Sequence, residues 1–240
     1  MNLSNHKILI TGATAGIGEA LLKAFLKHDN QIIALGRNAQ KLKKLSAEFP
    51  AVIPFQCDLA DPAEVDRLIV FIEQEHPDLS ILINNAGIQY NYHFEEEQQA
   101  LAKIEREIEV NLKVPIKLIS LLIPTLQNQA NAAIVNVSSG LGLVPKMAAP
   151  VYCGTKAGLH IFSKALRYQF EDIKVFEIIP PLVDTEMTRG RGKGKISPEQ
   201  LANEFMRAFK RDHYEVSVGK VKLLKLINRL SPRLAERIMQ

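Results

Sequence analysis

A short apolar run from Lys7 to Thr11 leads directly into a glycine-rich turn, residues 12 to 18, and then into an amphipathic stretch from Glu19 to Lys27. A strand, a tight turn and a helix in that order form the first half of a β-α-β unit. Such a unit is completed only by a second, parallel strand. The turn also constrains chemistry. Glycine puts no Cβ in the way, so backbone N–H groups and the positive end of the next helix can close on an anion. A pyrophosphate is the expected guest.

The same rhythm continues along the chain. Strands are expected at Gln31–Gly36, Val52–Cys57, Leu79–Ile83, Ala133–Val137, Ile173–Ile179 and near Tyr214–Val218. Helices are expected over residues 39 to 49, from Pro62 behind an Asp61 cap, over about 95 to 127, around Tyr152 to about Phe170, and from Pro198 behind Ser197. Pro115 lacks an amide donor, so the long helix should kink near Asn111. The pattern predicts an α/β chain with a single-domain Rossmann fold: a doubly wound, mostly parallel seven-stranded sheet with helices on both faces. Residues 1–219 form the NAD(P)-binding catalytic unit, and residues 220–240 form a basic amphipathic tail helix of the same domain. The 240 residues suffice for one substantial core.

Other classes are disfavoured. No uninterrupted apolar run approaches a membrane span, and strand-like sequence begins too early for a signal peptide. Cys57 and Cys153 form no CxxC pair, so a reduced cytoplasmic setting is the default. The six histidines lack metal-ligand spacing. The net charge of +4 is concentrated in the tail, where six Lys/Arg face the single acid Glu236. A basic end on a near-neutral body is not a nucleic-acid surface.

Tyr152 and Lys156, four residues apart, would stack on one helix face. A free phenol has a pKa of about 10. An ammonium about 4 Å away favours the phenolate by a few kcal/mol, which is roughly two to three pKa units. The pair is therefore suited to acid/base work, although such spacing is also common on ordinary helices. At the end of the second strand, where an acid would bind a ribose 2′-hydroxyl, stand Gly36 and Arg37. A guanidinium pairs with a 2′-phosphate, which favours NADP(H) over NAD(H).

Several motifs in order make the chain resemble the short-chain dehydrogenase/reductase family from Lys7 to about Val218. Thr11 to Gly18 matches TGxxxGxG, Asn84-Asn85-Ala86-Gly87 matches NNAG, and Tyr152 with Lys156 matches YxxxK. Ser139 stands thirteen residues before Tyr152, the family's serine spacing, and Asn111 falls at its helix asparagine. The runs Leu82–Gln89 and Ile178–Met187 resemble the DltE-like bacterial oxidoreductases. The family often has Pro-Gly after the sixth strand, whereas this chain has Pro180-Pro181.

The resemblance implies hydride transfer between NADP(H) and a small carbonyl or alcohol substrate. Ser139 would hydrogen-bond the carbonyl oxygen and Tyr152 would exchange its proton. Lys156 would lower the Tyr152 pKa and bind the nicotinamide ribose, and Asn111 would hold a water that leads to solvent. It further implies cofactor contacts from Gly12, Thr14, Ala15, Gly16, Ile17 and Gly18, then from Arg37, Asp58 and Leu59. Asn85, Ala86 and Gly87 would follow near the adenosine ribose, with Val183 and Thr185 near the carboxamide. A homodimer or homotetramer is implied by analogy.

Alternatives accompany these expectations. Ser139 could cap a strand end, and Asn111 could satisfy backbone freed by the kink. Tyr90, Tyr92, His93 and Phe94 either line a substrate cleft or, preferably, pack the start of the long helix. His160 and Cys153 read as structural. The Gly/Arg/Lys run 189–195 either closes over an acidic substrate or is a solvated loop. The tail is expected to dock on its own core or on a partner subunit, with membrane-surface contact less favoured. A non-catalytic NADP-binding scaffold on the same fold is the competing function. A sugar-nucleotide epimerase is a third reading, disfavoured by the glycine spacing.

Overall fold

The computed structural model describes residues 1–98 and 100–239. Its strands are β1 (Lys7–Thr11), β2 (Gln31–Gly36), β3 (Val52–Gln56), β4 (Leu79–Asn84), β5 (Ala132–Val137), β6 (Ile173–Ile179) and β7 (Glu215–Ser217). They form one seven-stranded sheet in the order β3-β2-β1-β4-β5-β6-β7, and every neighbouring pair is parallel. The order reverses between β1 and β4, and in such sheets ligands bind at the strand ends beside that reversal.

Alternate strand residues face opposite layers. Ile8 and Ile10 join a core with Leu21, Leu22 and Phe25 of α1 (Gly16–Leu26) and with residues of α2 (Ala39–Glu48) and α7 (Pro198–Lys210). Leu9 joins the opposite core with α3 (Pro62–Glu75), α5 (Val114–Gln127) and Leu166 of α6 (Pro150–Leu166). Phe176, Phe205 and Phe209 pack ring against ring in the first layer, where fully buried aromatics supply much of the apolar area removed from water.

Two expectations are corrected, and the expected interruption near Asn111 takes a particular form. The long helix begins at Ala100 as α4 (Ala100–Ile108), not near Glu95, where the chain forms turns. The kink is a π-helical turn, Glu109–Lys113, in which Val114 N–H reaches back to Glu109 O. Pro115 has no N–H for the Asn111 carbonyl, and a wider turn accommodates that loss. The tail is two helices, α8 (Val221–Leu230) and α9 (Pro232–Met239). Pro232 cannot continue α8, but its fixed φ suits the first turn of α9. Among the described residues, no helix is long and apolar enough to cross a membrane.

Candidate active site

The glycine turn lies over the end of β1 and opens α1. Gly12 and Gly16 have φ of +65° and +57°, the left-handed region that favours glycine. A Cβ on Gly18 would lie 2.2 Å from the Gly12 carbonyl oxygen, so only hydrogen fits where turn and helix touch. Asn85 fastens this turn from the end of β4. Its Nδ2 donates to Thr11 O at 2.9 Å and to Gly12 O at 3.2 Å. Thr11 Oγ1 accepts in return from Asn85 N and Ala86 N. The Asn85 side chain is thus committed to holding the turn, a role the sequence reading did not assign.

A cavity of about 500 Å³ opens above these strand ends. Gly12, Thr14, Ala15, Gly16 and Ile17 line it, together with Asn85, Ala86 and Gly87. Arg37, Asn38 and Lys41, from the chain after β2, also line it, as do Asp58 and Leu59 after β3 and Thr185 and Glu186 after β6. Burial is the strongest influence on Asp58 and raises its pKa, but the Ala60 N–H and Arg106 outweigh it and hold the carboxyl below its usual value. Arg106 Nη2 lies 2.9 Å from Asp58 Oδ2.

Four of the expected cofactor residues are not on the cavity wall: Gly18, Tyr152, Lys156 and Val183. Gly18 lies beneath the turn, and Val183 is buried in the core, bridged to Ile196. Tyr152 and Lys156 sit deeper, on α6. A Cβ on Gly87 would be 3.3 Å from Asn111 Oδ1 and 3.5 Å from Lys156 Nζ, so the cavity lining and the α6 residues share this one glycine.

Behind Gly87 the polar groups are densely paired. Lys156 Nζ donates to Val137 O at 2.8 Å and lies 5.8 Å from the centre of the Tyr152 ring. Burial lowers the Lys156 pKa to about 8 and pushes the Tyr152 phenol up to about 12, where the Ser139 hydroxyl only partly offsets it. Desolvation is the largest influence on the phenol, and it acts against the lowering expected from Lys156. Asn111 Oδ1 accepts from Ile88 N and its Nδ2 donates to Ile88 O, both at 2.8 Å. Its amide is thus occupied by the chain after β4. Any water at this residue falls to its carbonyl, which Pro115 leaves without the usual partner.

Two buried carboxylates went unnoticed in the sequence. Glu107 is fully buried and accepts from Tyr90 N at 3.0 Å, fixing the segment after β4. Glu177 on β6 is also fully buried. It accepts from Ser138 Oγ at 2.5 Å and lies 2.9 Å from His160 Nδ1, with Arg167 at 3.7 Å. Glu215, 4.0 Å from Arg167, pairs with Lys225 of α8. His160 therefore has the structural place expected of it. Tyr92 packs inward beside Phe94, with Lys103 over its ring, as the packing reading anticipated, whereas Phe94 itself is exposed.

Residues 6–195 match the family model described as short chain dehydrogenase. The chain belongs to that family. The uncharacterized oxidoreductase DltE of Bacillus subtilis is 37% identical to this short-chain dehydrogenase over 233 residues, covering 94% of this chain and 92% of the relative. Serine 3-dehydrogenase of Agrobacterium fabrum is 33% identical over 190 residues, covering 78% and 76% of the two chains. A short chain dehydrogenase from Burkholderia cenocepacia in complex with NADP superposes with a TM-score of 0.88 at 23% identity, covering 100% and 99%. One from Burkholderia phymatum in complex with NAD gives 0.83 at 18% identity, covering 96% of each chain. Both nicotinamide cofactors thus occur on this fold, and the likeness itself shows the fold alone.

Proposed function

We propose that this short-chain dehydrogenase is an NADP(H)-dependent carbonyl reductase or alcohol dehydrogenase. The observation that carries the reading is the shared Gly87: the cavity that fits a dinucleotide ends on the glycine behind which Lys156 and Asn111 stand. The fit of the cavity rests on its glycine lining, where any Cβ at Gly16 would come within 2.9 Å of Thr185. When bound there, the dinucleotide supplies or accepts the hydride. Tyr152 Oη gives the proton to the carbonyl oxygen in reduction and takes it back in oxidation, while the Ser139 hydroxyl stabilises that oxygen's developing charge. The raised phenol pKa keeps Tyr152 in its proton-donating form through the neutral range. The Lys156 ammonium favours the phenolate that Tyr152 becomes when it gives up its proton, and it offers donors to a ribose.

Preference for NADP(H) rests on Arg37, exposed in the cavity lining with Lys41, with no acid at the end of β2. A guanidinium–phosphate contact contributes roughly 1.5–3 kcal/mol. Arg37→Ala is therefore expected to weaken NADPH binding by about 10- to 100-fold and to leave NADH unchanged, as read by nicotinamide fluorescence. Equal affinity of the parent for both would remove the preference. Tyr152→Phe is expected to cut turnover of carbonyl test substrates by about 10²- to 10⁴-fold with NADPH affinity retained; undiminished turnover would overturn the mechanism. Apolar side chains exposed on α4, α5 and α6, including Leu101, Leu121 and Ile161, support a homo-oligomer. Light scattering of the full chain tests this.

A further inference from the structure

The two tail helices turn their apolar side outward. On α8, Val221, Leu224 and Asn228 face the body: Val221 and Leu224 lie over Gly140, and Asn228 Nδ2 donates to Leu143 O at 3.3 Å. This is the docking expected of the tail, and it places α8 on the turn that follows Ser139. Leu223, Leu226 and Leu230, also spaced three and four apart, occupy the opposite side and are exposed, Leu230 by 76%. On α9, Ala235 is buried while Leu234 and Ile238, one turn apart, are exposed. A single exposed leucine is ordinary, but four leucines and an isoleucine at helical spacing on consecutive helices form a surface that needs a partner.

The cations around it narrow the choice. Lys222 and Lys225 pair with Glu204 and Glu215. Among the described residues, Arg229, Arg233 and Arg237 have no recorded carboxylate partner. A second copy meeting this face about a two-fold axis would bring arginine against arginine with only Glu236 to offset them. An anionic lipid surface satisfies both features at once, because leucines enter the acyl boundary while arginines meet headgroup charge. Helices of ten and eight residues are too short to span a bilayer and suit lying along it.

We propose that α8 and α9 together form a docking surface for an anionic membrane, which sets the Ser139 side of the molecule toward the lipid. This inference does not depend on the proposed chemistry. The test is sedimentation of the full chain with phosphatidylcholine vesicles, with and without an equal part of phosphatidylglycerol. Two variants accompany it, Arg229→Gln/Arg233→Gln/Arg237→Gln and Leu226→Ser/Leu230→Ser. Both alter solvent-facing side chains, so the thermal midpoint should hold. The parent is expected to pellet with anionic vesicles only. Each arginine lost should weaken binding roughly fivefold, on the order of a hundredfold for three, and high salt should act in the same direction. The leucine variant should weaken it by about tenfold or more.

Absence of binding to anionic vesicles at low salt overturns the proposal, as does equal binding to neutral ones. Binding that survives the leucine replacements is plain surface charge and equally overturns it. A solution mass that falls in the leucine variant assigns the face to a second copy. Tight binding of soluble polyglutamate without vesicle binding assigns it to an acidic protein.

Discussion

The two halves of the site are built from different materials. The cofactor half is backbone: a glycine turn, two left-handed residues and an amide from Asn85 that holds the turn in place. The half proposed to be catalytic is side chains, nearly all buried, with Lys156, Asn111, Glu107 and Glu177 each removed from water. The first half should therefore fail by steric clash and the second by loss of charge partners. One half can be altered only by adding atoms; the other is sensitive to a proton.

The most direct way to break this contrast is at Glu177. Glu177→Gln keeps the shape but leaves Arg167 and His160 without their buried carboxylate partner. Removing one member of a buried pair costs about 3–5 kcal/mol, which should appear in urea denaturation together with reduced turnover, since Ser138 adjoins Ser139. A loss below about 1 kcal/mol, the range of an exposed pair, would mean the charge does not hold this half together.

Lys156 sharpens the contrast next, because it should stabilise nothing. Its folded-state pKa of about 8 lies below the ordinary 10.5. Between those values the unfolded chain holds a proton that the folded chain has released, so this residue makes stability rise with pH through that window. Below pH 8 the buried charge costs about 3 kcal/mol. Lys156→Met is thus expected to unfold at higher urea than the parent at pH 7 while losing activity, and the gap should close toward pH 10. A gap that does not change with pH would refute the assignment to the lysine charge.

In the backbone half, Gly18→Ala drives a methyl into the Gly12 carbonyl. Overpacking of this kind costs about 1–3 kcal/mol, and NADPH affinity should fall with it, since the displaced carbonyl belongs to the cavity lining. Unchanged affinity would show that the turn yields. The smallest effect is expected at Gly154, which lies between Tyr152 and Lys156 but has nothing within 4 Å of its missing Cβ. Gly154→Ala should gain up to about 1 kcal/mol from helix propensity and leave activity alone. A loss of activity there would mean the α6 face is more crowded than its neighbours indicate.

The same division explains what the sequence disclosed. Strand, turn and helix at the amino end are local, and glycines at fixed spacing have a steric cause that can be read without coordinates. Tyr152 and Lys156 are one helical turn apart, so their meeting was also legible. Glu177 was not, because in Ile173–Ile179 one acid reads as a strand residue, and its partners His160 and Arg167 come from a helix that only the fold brings alongside. Desolvation is not local either, which is why the direction of the Tyr152 shift could not be had from the spacing to Lys156. The tail misread as one helix is a different case: Pro232 was visible, but the amphipathic period continues across it.

The π-turn at Glu109–Lys113 fits one more residue into its coil than an α-helix would. Removing one of those five residues would return the stretch to α-helical pitch, with Pro115 still unable to supply an N–H to the turn before it. The flanking helices would keep nearly their present facing, because five residues of the wider coil turn through about the same angle as four of an α-helix, but the stretch that presents Asn111 to Ile88 would lose its extra residue. In this stretch the number of residues, as well as their identity, sets where Asn111 stands. The helix keeps a reading frame, and the active site lies one residue out of the ordinary one.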